Sequence, residues 1–313
     1  EVITIIKILE AFLFHDVTNI FNLFNLKGEV FNIPFNLNYN KKFDSLNTEE
    51  IEIIAKTLKL NIFNITNKET DKINAGTNTI SFLNSKFNTN YKVKDDVVIF
   101  NSSNSRAKSN KAKYNGELSI NPFDLNLDIN LSEYDFYSIL NDNSILSQLI
   151  KTELMFNQNI SMRVSVSSTI NSKKKIFQNA KINFNINDGK LNIDKTRLIN
   201  KKIGLIEINN SNLSYKDNKL TLNADALIKI TNPNKLFSLL QTNKKFRKPI
   251  NNILINLDYD FLSKKIDFNN VKINNRGIDD VSLRIIDGFS DNKINNWHKS
   301  RRILNAFLES YDG

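Results

Sequence analysis

Side chains able to do acid–base, nucleophilic or metal chemistry are scarce in this chain of 313 residues. It contains two histidines, His15 and His298, and no cysteine. The lack of cysteine excludes a disulfide framework, a thiolate metal site and a cysteine nucleophile. Two histidines far apart in sequence argue against a histidine-centred catalytic site, and His298 falls on an amphipathic helical pattern where a solvated residue is expected. The row Asp124, Asn126, Asp128, Asn130 occupies the polar face of one expected strand and could attract a cation. It lacks the glycine at the sixth position and the glutamate at the twelfth that an EF-hand loop needs, which leaves a plain wet face. Asp95-Asp96 and Asp279-Asp280 are turn-like acidic pairs with no histidine companion nearby in sequence. Neither a phosphate-binding glycine loop nor a G-x-S-x-G elbow occurs. The chain therefore reads as a non-enzyme, with no cofactor and no metal expected.

What the sequence offers in place of reactive groups is apolar surface laid out at period two. Ala180, Ile182, Phe184 and Ile186 alternate with Lys181, Asn183, Asn185 and Asn187, and Asp188-Gly189 follows as a two-residue hairpin turn. Alternation resumes at Leu191 and Ile193, at Ile206 and Ile208, and from Leu220 to Ile230. It returns through Ile253, Ile255, Leu257 and Tyr259, then Ile266 and Phe268, with a register change at Asn269-Asn270. Between Ile176 and Ile230 no helical spacing is long enough to cover the face these strands make. In the segment Leu118 to Leu131 the apolar set moves from even to odd positions after Asn121-Pro122, and a bulge there is the expected repair.

Elsewhere the elements are less sharply marked. Glu1 to Phe14 is expected to be a strand, Asn19 to Leu26 a connection, and the run opened by Gly28 a strand with Phe31, Ile33, Phe35, Leu37 and Tyr39 on one face and Pro34 on the other. From Thr48 to Ile65 one long strand is favoured over a helix. Strands also fit Thr79 to Phe87, Asn90 to Lys94 and Val97 to Phe100, and a last one fits Val281, Leu283 and Ile285. Helices are expected near 132–152, 232–243 and 291–310. The terminal one, with Trp297, Leu304 and Leu308 on one stripe, is placed to close an end of the sheet. The expected fold is mainly β: a long curled antiparallel sheet over 1–313, forming an open apolar groove, with a few short amphipathic helices.

The net charge of +10 raises the question of nucleic acid. Lys41-Lys42, Lys173 to Lys175, Lys201-Lys202, Lys244-Lys245, Lys264-Lys265 and Arg301-Arg302 sit at breaks between strands, as solvated turn tips do. No nucleic-acid module accompanies them, so no nucleic acid partner is expected. The apolar opening from Val2 to Phe14 is interrupted by Lys7 and Glu10 and is too short for a bilayer, which takes about 20 apolar residues. The chain reads as a piece of a longer protein whose anchor or export signal would lie upstream of Glu1.

Several stretches carry a family resemblance: Lys27 to Phe35, Tyr114 to Leu118 continuing through Asn121-Pro122 to Leu125, the hairpin series ending at Asn232, and the terminal helix around Trp297. In that order the chain resembles the C-terminal region of the AsmA-like family of bacterial envelope proteins. The resemblance implies a curled sheet with an apolar lining in the periplasm, anchored to the inner membrane and conducting phospholipid or another acyl-chain lipid for outer-membrane lipid homeostasis. The family's anchor segment is expected upstream of Glu1. Its residues alone lead to a compatible place, because about a dozen strands at about 4.8 Å make a sheet roughly 60 Å wide that three short helices cannot shield. The lining is expected to include Phe123, Leu125, Ile182, Phe184, Leu222, Ile228, Ile255 and Leu257. The alternative is a structural or adhesive β-sandwich or solenoid that binds another protein. A transmembrane barrel ranks below both, since the aromatics form no girdles.

Overall fold

The computed structural model describes residues 6–18, 21–30, 33–43, 47–70, 73–107, 109–133, 156, 158–170, 176–216, 219–261, 263, 265–288 and 297–311. The chain divides into two compact units, Glu1–Tyr134 and Asp135–Gly313. The first contains β1 (Ile6–Asp16), β2 (Phe21–Val30), β3 (Ile33–Lys42), β4 (Glu49–Ala55), β5 (Leu60–Thr70) and β6 (Ile73–Phe82). After them come β7 (Ser85–Lys94), β8 (Val97–Ser102), β9 (Ser105–Ala107), β10 (Asn110–Ser119) and β11 (Asp124–Ser132). From β1 to β8 each strand pairs antiparallel with the one before it, β8 and β9 share one lane between β7 and β10, and β10 pairs with β11. Tight turns make this meander possible. Leu83 and Asp95 adopt positive φ (51° and 53°) in the two-residue turns that join β6 to β7 and β7 to β8.

Four expected elements differ, and the first, Thr79 to Phe87, is not one strand but the hairpin where β6 ends at Phe82 and β7 begins at Ser85, setting Ile80 opposite Phe87. Thr48 to Ile65 is a hairpin: β4 ends at Ala55, a 3-10 turn spans Lys56–Leu58, and Lys59 at φ 52° sends the chain back as β5. The hairpin wins because it sets Ile53 directly opposite Ile62, on one face. Asn19 to Leu26 is no mere connection, for β2 begins at Phe21 and pairs Phe24 with Tyr39 and Leu26 with Leu37. Leu118 to Leu131 is likewise two strands, reversing through a turn at Ile120 to Phe123. The change of parity belongs to that turn, which brings Leu125 opposite Leu118. Pro34 points away from the apolar face, and it sits where β3 has only β2 beside it, since pairing with β4 starts at Asn36.

The second unit contains β12 (Ser161–Thr169), β13 (Asn179–Asn187), β14 (Lys190–Asn192), β15 (Thr196–Asn200), β16 (Gly204–Lys216) and β17 (Lys219–Ile230). Helix α1 (Pro233–Leu240) leads to β18 (Asn252–Asp260), β19 (Lys265–Ile273) and β20 (Arg276–Gly277), then α2 (Asp280–Asp287) and α3 (Trp297–Ser310). The strands again form an antiparallel meander, with β14 and β15 sharing the lane between β13 and β16. Asp188 and Gly189 both take positive φ (51° and 71°) in the turn between Asn187 and Lys190, as the sequence predicts. The register change at Asn269-Asn270 is present as a shift between Asn256 and Leu257, whose partners are Asn270 and Phe268.

Asn232 caps α1 by accepting a hydrogen bond from the Lys235 amide at 3.1 Å, with Pro233 at the first helical position. The predicted last strand at Val281 to Ile285 is instead α2. Asp279 accepts from the Ser282 amide at 2.6 Å and starts a helix whose buried positions are Ser282 and Ile286. Val281 is left 61% exposed, so the alternation that suggested a strand places its first residue in water. Helix α3 does close one end of the second unit's sheet. Its Phe307 and Leu308 pack with Phe237 and Leu240 of α1, Ile286 of α2, and Ile230, Val271 and Ile273 of the strands. The helix expected near 132–152 lies, from position 134 on, outside the described residues.

A half-covered apolar face

The ladders of the first unit build one apolar row across six strands. Leu26 pairs with Leu37, Leu37 with Ile53, Ile53 with Ile62, Ile62 with Ile80 and Ile80 with Phe87. Five inter-strand steps make the row roughly 24 Å long. All six side chains are half-buried, and none belongs to a buried core cluster. The buried residues described in this unit are few and mostly small, Ala55, Ala107, Ala112 and Ser105 among them, with Leu131 the one large side chain. Both buried clusters lie in the second unit.

Aromatic rings on this face are folded down onto it. Gly76 is the direct partner of Tyr91 and Gly116 of Phe100, and a Cβ on either glycine would stand 2.7 Å and 2.5 Å from the nearest ring carbon. Gly28 and Phe35 repeat the pairing, with a closest ring approach of 3.1 Å. A ring that covers a glycine satisfies the strand without rising above its neighbours, which keeps the face low.

Several polar side chains that share the face satisfy one another, although the buried Asn78 Oδ1 opposite Asn64 accepts no hydrogen bond. Lys41 and Glu49 form an ion pair at 2.5 Å, and the Glu49 carboxylate raises the ammonium's pKa. Burial, with the same carboxylate second, pushes the nearby Tyr39 phenol up. The Tyr91 hydroxyl lies 2.8 Å from the donating Asn64 amide and 2.5 Å from Thr66, and Thr89 meets the Tyr114 hydroxyl at 2.6 Å. Polar groups so engaged add little desolvation cost when an apolar body lies on the sheet.

The opposite faces are wet. In the acidic row Asp128 and Asn130 are exposed and Asn126 is half-buried beside Glu117, while Asp124 has one carboxylate oxygen buried. In the second unit Asp225 accepts from Asn256 and Asn210, which lowers its carboxyl pKa below the usual carboxylate range. No group of three or more His, Cys, Asp or Glu among the described residues could hold a metal ion. His15 sits in β1 with its ring nitrogen against Asn22, and His298 is exposed in the first turn of α3.

The sequence-predicted lining residues fall into four situations. Leu125 lies on the first unit's apolar face opposite Leu118, while Phe123 stands in the adjacent turn, 38% exposed. Ile228 and Ile255 pack against the helical plug. Phe184 and Leu222 support the other buried cluster, formed by Ile186, Leu191, Leu213 and Leu220. Ile182 and Leu257 belong to neither cluster and remain half-buried on the same face of their sheet. The row from Leu26 to Phe87 was not among the predicted lining. Its signal was present in the alternation of Ile51 and Ile53 and of Leu60 and Ile62, but it needed the β4–β5 turn to bring them together.

These features define a mainly β protein made of antiparallel meanders, each with one apolar face that helices cover only in part or, among the described residues of the first unit, not at all. No family model, no curated protein and no solved structure matches the chain. No helix among the described residues is long and apolar enough to cross a membrane.

Proposed function

We propose that this protein is a non-enzymatic binder and conductor of phospholipid or another acyl-chain lipid, along the apolar face of its sheets. In this reading it works in the bacterial periplasm, in outer-membrane lipid homeostasis or assembly, and is held to the inner membrane by a segment outside this chain. The observation that carries it is the half-buried row Leu26, Leu37, Ile53, Ile62, Ile80, Phe87. Apolar burial gains about 25 cal/mol per Å² and is non-directional, so an acyl chain can be held without being fixed at one place. The sheet's own hydrogen bonds run sideways between strands, and a ligand on the face costs none of them. The resemblance to the AsmA-like family adds weight in the same direction.

Native mass spectrometry of protein purified from a bacterial host is expected to show bound phospholipid. Ile62→Asp with Ile80→Asp is expected to remove at least nine-tenths of it, about 1.4 kcal/mol or more of binding, with a circular dichroism spectrum like the parent's. These positions suit the test because neither supports a buried cluster, whereas Phe184→Asp and Leu222→Asp would also disturb the cluster at Leu191. Parent protein that is persistently lipid-free, or a folded double variant that keeps its lipid, would sink the proposal.

One observation favours a structural or adhesive role instead. Strand β1 pairs only with β2 among the described residues, and Phe12 and Leu13, on its opposite faces, are 56% and 71% exposed. An apolar edge of this kind can accept a strand from another protein. Lipid-free spectra dominated by protein–protein complexes would select that role.

A further inference from the structure

Basic residues that are scattered along the sequence as turn tips are gathered by the topology at one end of the second unit. Between Ala226 and Leu257 the chain has six basic residues and no acidic one. Lys201 and Lys202 lie in the turn from β15 to β16, closed by the Asn200–Gly204 pair. That turn adjoins the end of β17, since Gly204 pairs with Ile230 and the Ile203 carbonyl accepts from the Thr231 and Asn232 amides at 2.8 and 3.1 Å. Lys235 follows in the first turn of α1. A 3-10 turn, Lys244–Phe246, capped by Asn243, then carries Lys244 and Lys245 before β18 begins beside β17. All five lysines are exposed and none forms an ion pair among the described residues. Of the acidic groups near this end, Asp279 is spent on capping α2, Asp280 and Asp287 lie in α2, and Glu309 lies in α3.

The loop that presents these charges is held firmly. Thr242 is 2% exposed and donates to the Asn305 side-chain oxygen of α3 at 2.7 Å, while the Asn305 amide donates to the Leu240 carbonyl at 2.6 Å. Arg247 donates to the Thr242 carbonyl at 3.1 Å, and Asn274 to the Pro249 carbonyl at 2.9 Å. At its tip Phe246 is half-exposed outside the buried cluster, with the Lys245 ammonium 4.5 Å from its ring centroid. Unpaired lysines on a well-held loop beside a half-exposed aromatic ring are what an interface of anionic headgroups over acyl chains accommodates.

We infer that this end of the second unit docks onto the surface of an anionic phospholipid bilayer, with Lys201, Lys202, Lys235, Lys244 and Lys245 facing headgroup phosphates and Phe246 entering the interface. The inference concerns attachment of the whole protein to a membrane surface, and it goes beyond lipid binding along the sheet. A basic residue near such a surface is worth about fivefold in partitioning.

Flotation with vesicles of phosphatidylcholine alone, and of phosphatidylcholine with phosphatidylglycerol, tests it. Attachment is expected only to the anionic vesicles and should weaken as salt rises. Lys244→Gln with Lys245→Gln should reduce it about thirtyfold. Lys190→Gln with Lys219→Gln removes equal charge from turns at the opposite end of the sheet and should reduce it far less. Phe246→Ser should weaken vesicle attachment while leaving binding to duplex DNA unchanged. Ile62→Asp with Ile80→Asp, which tests the apolar row, should leave attachment intact, so the two proposals fail separately. Equal attachment to neutral vesicles, or none to anionic ones, overturns the inference. So do equal losses in the two lysine pairs, which would reduce the effect to net charge, and tighter binding to DNA than to vesicles with no dependence on Phe246.

Discussion

Leu191→Ala is expected to lower the unfolding free energy by about 3 kcal/mol, and Ile80→Ala by about 1 kcal/mol, although both remove large aliphatic groups from the apolar face of a sheet. Leu191 is 0% exposed and is the direct partner of Ile186 and of Leu213, so its removal leaves a cavity that neighbours on three strands cannot refill. Ile80 keeps one side open, and there the lost transfer term is smaller and solvent can occupy the space. Urea unfolding of lipid-free protein, compared at constant slope, reads the difference. Equal losses would mean that the row in the first unit is as well covered as the Leu191 cluster.

Gly204→Ala is expected to be at least as damaging, about 3 kcal/mol, at a position that no core argument would pick out. Its φ is 152°, and a Cβ there would stand 1.9 Å from the Lys229 carbonyl oxygen, itself part of the β16–β17 ladder. The backbone must give way, at about 1–3 kcal/mol of strain together with weakened ladder bonds. The turn carrying Lys201 and Lys202 moves with it, so vesicle attachment should fall as well. Gly277→Ala, where nothing lies within 4 Å of the added Cβ, is the control and should stay within about 0.5 kcal/mol. A Gly204→Ala protein with the parent's urea midpoint would contradict the strain argument.

The sequence by itself determined the class of fold and much of the second unit. Alternation at period two is a local property, and wherever a turn signal was equally local the elements followed from it. The Asp188-Gly189 hairpin, the Asn232 cap of α1 and the register shift at Asn269-Asn270 are all of that kind. It misjudged stretches where two local patterns compete. Val281, Leu283 and Ile285 alternate like a strand, but the Asp279 cap and the apolar cluster that receives Ile286 favour the helix. Leu118 to Leu131 keeps alternating through a turn, and nothing short of the pairing of Leu118 with Leu125 separates one bulged strand from two.

What only the tertiary structure decided is which apolar residues are covered. Ile228, Phe184, Ile182 and Ile80 have the same alternating surroundings in sequence, yet the first meets the helical plug, the second a buried cluster, and the last two neither. Coverage depends on residues distant in sequence, as Phe307 and Leu308 of α3 show against Ile230. The gathering of Lys201, Lys202 and Lys244 at one end has the same origin. An antiparallel meander sends alternate turns to the same edge, and strand count together with register, which no local pattern encodes, settles which turns become neighbours.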